Sequence, residues 1–161
     1  MNWFLFWLFL HILAAVIAFG PIFVFPIVGT LVAQRPQHLG FAVELNHRIE
    51  QRLVIPLALS MFVSGVGLIW TGSINVFQTG FLLAAIGLYL VAVAISLGVL
   101  VPTTRRLVQM MEKAPQPGPG APPPEVMTLV RRTQMFGGMT TVLFLAIIFL
   151  MIIQPGGITL R

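Results

Sequence analysis

W-F-L-F-W-L-F-L-H-I-L-A-A-V-I-A-F-G-P-I-F-V-F-P-I-V-G-T-L-V-A, residues 3–33, contains no formally charged side chain. A bilayer with a hydrocarbon core about 30 Å thick needs roughly 20 apolar helical residues to cross, and this run exceeds that length. Three further apolar runs follow, from Leu53 to Trp70, from Phe81 to Val101 and from Met135 to Ile153. Each is long enough to span. The composition agrees, because 58% of the 161 residues are hydrophobic and 8% are charged, well away from the usage of soluble domains. The reading is therefore an all-α, polytopic membrane protein, a single domain of four transmembrane helices over residues 1–161.

The first run is the segment that could be confused with a cleavable leader. It has no Lys or Arg before it and continues well past the apolar core of a signal peptide, so a retained span is expected. Gly20-Pro21 and Pro26 remove backbone donors within it and predict a kink.

Orientation is read from the basic residues. Arg35, Arg48 and Arg52 fall between the first two runs, and Arg105, Arg106, Lys113, Arg131 and Arg132 fall between the last two. The segment from Thr71 to Gly80 carries no charge, so the positive-inside rule places it outside with both termini, an N-out, C-out arrangement. Trp3, Trp7 and Trp70 fall at that same outer side, where interfacial indoles are expected. The expected location is a bacterial cytoplasmic membrane. The net charge of +5 is then a matter of topology and lipid headgroups. A nucleic-acid partner is not expected, since no basic residues interleave with aromatics in a groove-like pattern.

The connecting segments carry their own pattern. Glu44, Arg48 and Arg52 repeat at helical spacing, so the second span is expected to begin as a helix inside the cytoplasm. Pro102 to Lys113 reads as a basic extension of the third span. Residues 114–125, with Pro115, Pro117, Pro119, Pro122, Pro123 and Pro124, read as an extended linker rather than a docking motif, and Glu125 to Gln134 leads into the last span.

Chemistry inside a membrane needs polar groups there, and the ionisable candidate is His11. It lies roughly 12 Å along a helix from Trp3, below the interface. Ala14, Ala15 and Ala18 share its face, a narrow strip that suits close helix packing or a flat macrocycle. Tyr89 and Met151 fall in the same outer half and are candidate second ligands, though both residue types also serve routinely in packing. His38 and His47 lie in the polar connecting segment, nine residues apart and off any common helical face. The absence of cysteine excludes disulfides, iron–sulfur clusters, covalent c-type haem and thiolate metal sites.

No catalytic constellation is expected. Glu44, Glu50, Glu112 and Glu125 all fall outside the apolar runs, leaving no carboxylate relay or hydrolytic dyad in the membrane, and no P-loop, nucleophile elbow or zinc-protease motif occurs. Small residues predict tight helix contacts at Ser60 and Ser64, at Ala92 and Ser96, at Ala94 and Gly98, and at Gly137-Gly138.

L-H-I-L-A-A at Leu10 to Ala15, Q-R-L-V-I-P at Gln51 to Pro56, S-G-V-G-L at Ser64 to Leu68, L-G-V-L-V-P-T-T-R-R-L at Leu97 to Leu107 and F-L-M-I-I-Q-P at Phe149 to Pro155 follow one another in an order that resembles the predicted integral membrane family catalogued as domain of unknown function 2269. That resemblance implies a four-helix membrane protein without an established activity. The Leu-His near the start of the first span more distantly resembles copper-resistance-type membrane proteins and the small four-helix protoporphyrinogen oxidase of bacteria. In the latter the matching histidine is a haem ligand, so the resemblance implies a candidate haem role for His11. Two departures separate the chain from that enzyme: Ala18 stands near where an aromatic residue is expected, and the third span lacks the intramembrane lysine that is the other ligand.

Two functions follow as expectations. In the first, His11 holds a b-type haem and the chain serves electron transfer or acts as a subunit of a redox complex. In the second it is a cofactor-free accessory subunit, held to other membrane subunits or to copies of itself through its small-residue faces. A transporter or channel fits less well, because the spans carry few midplane polar residues and no inverted repeat.

Overall fold

The computed structural model describes residues 2–113 and 123–155, and every regular element among them is helical. Helix α1 runs Trp3–Gln34, with the Asn2 side chain accepting from the backbone N–H groups of Phe4 and Leu5 and so capping its first turn. After a 3-10 turn at Pro36–His38 come α2, Leu39–Ile49, and α3, Ile55–Thr71, joined without a break by a π-helical segment, Glu50–Val54. A short connection containing a second 3-10 turn, Val76–Gln78, leads to α4, Gly80–Ile95. It continues through a π-helical segment, Ser96–Leu100, into α5, Val101–Lys113, and α6, Pro124–Ile153, completes the fold.

Four helical rods, each long and apolar enough to cross a membrane, therefore account for most of the described chain. The rods over Leu39–Thr71 and Gly80–Glu112 are each 33 residues long, more than the roughly 20 needed to cross, and the excess carries the basic side chains. We call this the basic end and the opposite one the terminal end. Pro124 and Glu125 already belong to α6, where proline at the first helical position sacrifices no hydrogen bond. The remainder of the proline-rich segment lies outside the described residues.

The two π-helical segments have a sequence cause. Pro56 lies two residues beyond the first and Pro102 two residues beyond the second. Proline lacks the N–H for the i−4 carbonyl and its ring presses on that carbonyl; widening the preceding turn relieves both defects. Pro21 and Pro26, by contrast, lie within one continuous α-helical assignment.

The core joins all four rods. Ala14, Ala18 and Phe19 from α1, Met61 from α3, Ala85 and Ala92 from α4, and Phe144 and Ile147 from α6 form one buried cluster. Phe19 and Phe144 stack at 4.2 Å between centroids. Small residues let the backbones approach, which is how helices associate where lipid is as apolar as their side chains. The expectation holds at Ser64 and Ala92, both buried. It does not hold elsewhere: Ser60 and Ala94 are exposed, and a side-chain carbon built at Gly98, Gly137 or Gly138 meets nothing within 4 Å. The glycine that does bring helices together is Gly67, where a Cβ would overlap the Trp7 indole. Trp3 and Trp70 are exposed as interfacial indoles should be, but Trp7 is half-buried in this α1–α3 contact.

A second, smaller core lies at the basic end, where Val43 of α2, Leu107 of α5 and Val126 of α6 pack together. The helical extensions thus form a packed cap rather than loose ends. Thr103, Thr104 and Leu107 place its buried stripe at helical spacing on α5.

Candidate functional site

The polar side chains fall into two groups at different heights. Toward the terminal end, α1 and α3 run antiparallel, and Gly67 receives Trp7 while Ser64, about one turn back along α3, receives His11. The His11 Nδ1 lies 2.9 Å from the Ser64 Oγ. Ser64, 3% exposed, donates its hydroxyl hydrogen to the Met61 carbonyl at 3.2 Å. A hydroxyl has one hydrogen: where it goes to the Met61 carbonyl, the oxygen receives from the ring, with Nδ1 protonated and Nε2 bare, and where it goes to Nδ1 the tautomer is reversed. Gly65 makes room for this ring edge, a Cβ there coming to 3.7 Å from Cε1.

The alanine strip of His11 is occupied. Ala14 and Ala18 are 5% and 1% exposed inside the bundle core, and Ala15 packs against it. Tyr89 donates its hydroxyl to the Ala58 carbonyl, six residues before Ser64 on α3 and so roughly 9 Å along the helix from it. Met151 is packed against the central core beside Phe144 and Ile147. Tyr89 and Met151 are thus held by partners other than His11. No group of three or more metal-ligating His, Asp or Glu side chains occurs among the described residues.

The second group lies at the basic end and was not singled out from the sequence. Glu50, at the start of the first π-helical segment, is partly buried, and Thr104 and Arg105 of α5 favour its ionised form. Thr103 and Thr104 are themselves buried and donate to the Val99 and Leu100 carbonyls at 2.6 and 2.9 Å, back-bonding onto the second π-helical segment. Gln51, with its amide turned so that oxygen faces the guanidinium, accepts from Arg105 at 3.2 and 3.3 Å. On the same face as Glu50, the Asn46 Oδ1 and His47 Nδ1 are buried without a partner. Burial and Arg105 hold His47 below the usual imidazole range, while burial pushes the Glu50 carboxyl up to about 7.

Glu44 and Arg48 form an exposed i,i+4 ion pair, worth a few tenths of a kcal/mol (~0.3–0.5). His38 is exposed in the 3-10 turn. A cleft of roughly 480 Å³ between α5 and α6 is lined by Arg106, Gln109, Met110, Glu125, Thr128 and Leu129, away from His11.

No curated protein and no solved structure matches the chain. One family model does, described as predicted integral membrane protein (DUF2269), over residues 5–155. That match covers all four rods and both polar groups, in keeping with the fold built from apolar helices alone. The chain therefore belongs to the DUF2269 family of predicted integral membrane proteins.

Proposed function

We propose that this chain is an accessory subunit of a membrane complex, with no catalytic residues of its own. The observation that carries this reading is how its intramembrane polar side chains are used. His11 is joined to Ser64 and Tyr89 to the Ala58 carbonyl, so the groups with ligand chemistry hold the chain's own helices together. Released in mild detergent through an affinity tag and weighed intact by native mass spectrometry, the protein is expected in assemblies with companion membrane polypeptides or further copies of itself. A lone 17.7 kDa chain at every detergent concentration contradicts the proposal.

One observation favours a second reading, that the chain holds a b-type haem and serves electron transfer or a redox complex. An imidazole whose Nδ1–H is held by a neighbour presents Nε2 with its orientation and tautomer set, the usual arrangement of a ligating histidine. His11 would be one axial ligand, and the ring would supply one-electron chemistry when bound. Haem-supplemented expression should then give a Soret band that His11→Ala weakens or shifts and that His38→Ala and His47→Ala leave alone, with helical circular dichroism unchanged. A colourless protein that also fails to take up haemin removes this reading.

The N-out, C-out orientation in a bacterial cytoplasmic membrane rests on the distribution of arginines. Cysteines placed at Asn75 and Gln37 should react from opposite sides. Labelling of Gln37 and not Asn75 by an impermeant reagent on intact cells inverts the assignment.

A further inference from the structure

Arg106 and Glu125 line one cleft at the basic end without being paired. Arg106, Gln109 and Met110 of α5 form one wall, and Glu125, Thr128 and Leu129 of α6 the other, around a volume of roughly 480 Å³. Both charged side chains are exposed, and among the described residues neither forms an ion pair within 4 Å. Opposite charges that share a cleft and do not close on each other leave room for a ligand that carries both signs. Met110 and Leu129 pack against the small core of Val43, Leu107 and Val126, which ties the two walls together.

The order of the charges follows the membrane. Arg106 is five residues past Val101, where the third apolar run ends. At 1.5 Å per helical residue that is roughly 7 Å from the hydrocarbon, within the headgroup layer. Leu107 meets Val126 in the small core, and α5 leaves the membrane where α6 returns to it. Arg106 therefore lies one residue on the membrane side of that contact and Glu125 one residue on the outer side. Arg132, exposed on α6 with its guanidinium carbon 6.0 Å from the Phe136 ring centre, adds a second cation on the membrane side. On the outer side, Thr128 gives its hydroxyl hydrogen to the Pro124 carbonyl at 2.9 Å, which leaves its oxygen, like the Glu125 carboxylate, to accept.

We propose that this cleft binds the headgroup of an aminophospholipid, with the phosphate on Arg106 and the primary ammonium donating to Glu125 and Thr128. In such a lipid the phosphate joins the glycerol and the ammonium is at the free end, the same order of charge that the cleft presents in reverse sign. A guanidinium offers a phosphate two parallel N–H donors, and a primary ammonium has three N–H groups for the acceptors opposite. A quaternary ammonium has no hydrogen to give them. A glycerol headgroup has hydrogens but no positive charge for Glu125. The site is independent of His11 and of any companion subunit.

Native mass spectrometry of the full-length protein with phosphatidylethanolamine, phosphatidylcholine or phosphatidylglycerol, of the same acyl chains and at equal mole fraction, tests this. Phosphatidylethanolamine should be retained about two- to fivefold over the other two, the range of an exposed ion pair. Arg106→Gln should lower the retention of all three, and Glu125→Gln should remove the preference while leaving the other two at or above their wild-type level. Exchanging the charges, Arg106→Glu together with Glu125→Arg, keeps the net charge and inverts the order, so the preference should vanish. Both positions are exposed, so thermal stability should be unchanged in every variant. Glycerophosphoethanolamine, the same headgroup without acyl chains, should not displace the lipid at equal concentration. Equal retention of the three lipids, a preference that survives the charge exchange, or displacement by the soluble headgroup overturns the proposal.

Discussion

His11 and Glu50 are titratable side chains near opposite ends of one bundle: His11 meets the buried Ser64 hydroxyl across α1 and α3, and Glu50 lies partly buried with Thr104 and Arg105 of α5 favouring its ionised form. The Ser64 and Thr104 hydroxyls each bond a carbonyl three or four residues back on their own helix, Met61 for Ser64 and Leu100 for Thr104. The two ends differ in how a titratable group is matched: the His11 ring meets a hydroxyl inside the bundle, whereas burial at the basic end raises the Glu50 carboxyl against the opposing influence of Thr104 and Arg105.

The comparison is broken most severely by disturbing the helix approach beneath the first pair. Gly67→Leu places a side chain into the Trp7 indole and should cost about 3 kcal/mol or more in detergent thermal stability, separating α1 from α3 and the imidazole from Ser64. The matching change at the basic end, Gly98→Ala, enters open space and should be neutral or stabilising by less than about 1 kcal/mol.

Next in size is the pH dependence. The Glu50 carboxyl is raised from 4.5 to about 7, so the folded protein binds more protons than the unfolded chain between those values. Stability should therefore fall as pH rises from 4.5 toward 7 and level off above it. A tenfold change in proton affinity is worth about 1.4 kcal/mol, which sets a ceiling of about 3 kcal/mol on the loss, reduced by the water that reaches a partly exposed group. Glu50→Gln should remove the slope and stabilise the protein at pH 8, read from thermal unfolding across a pH series. A slope that survives the substitution assigns it to another group.

Smaller again is Ser64→Ala, which leaves the His11 Nδ1–H without its partner and should cost about 1–2 kcal/mol, measured the same way. An effect indistinguishable from zero implies that the imidazole finds the Met61 carbonyl directly.

How much of this was legible beforehand differs between the two ends. The four spans follow from apolar runs that no soluble fold accommodates, and each run lies within one helical rod, three of the rods extending well beyond their runs. His11 stood out as an imidazole in an uncharged stretch. Its partner did not, because Ser64 lies 53 residues away and no local pattern pairs them. The same distance problem hid Trp7 against Gly67, and an indole near a span terminus reads by default as interfacial. Spacing of small residues proved a poor guide by itself: Ala92 faces the core and Ala94 and Gly98 do not, since the direction of the face, not the interval, decides contact. Glu50 read as solvated because charged neighbours surround it in sequence. Its burial comes from α2 lying against α5, although Thr103, Thr104 and Leu107 already mark a buried stripe, and Pro56 and Pro102 already mark the two widened turns.

Nitrogen-15 magnetic resonance of histidine-labelled protein in lipid, with His11 assigned by difference from His11→Gln, tests the placement of protons most directly. The account predicts a proton on Nδ1 with Nε2 bare, and a changed Nδ1 resonance in Ser64→Ala. A proton on Nε2 with Nδ1 bare would make Ser64 the donor, break its bond to Met61 and contradict this placement of protons.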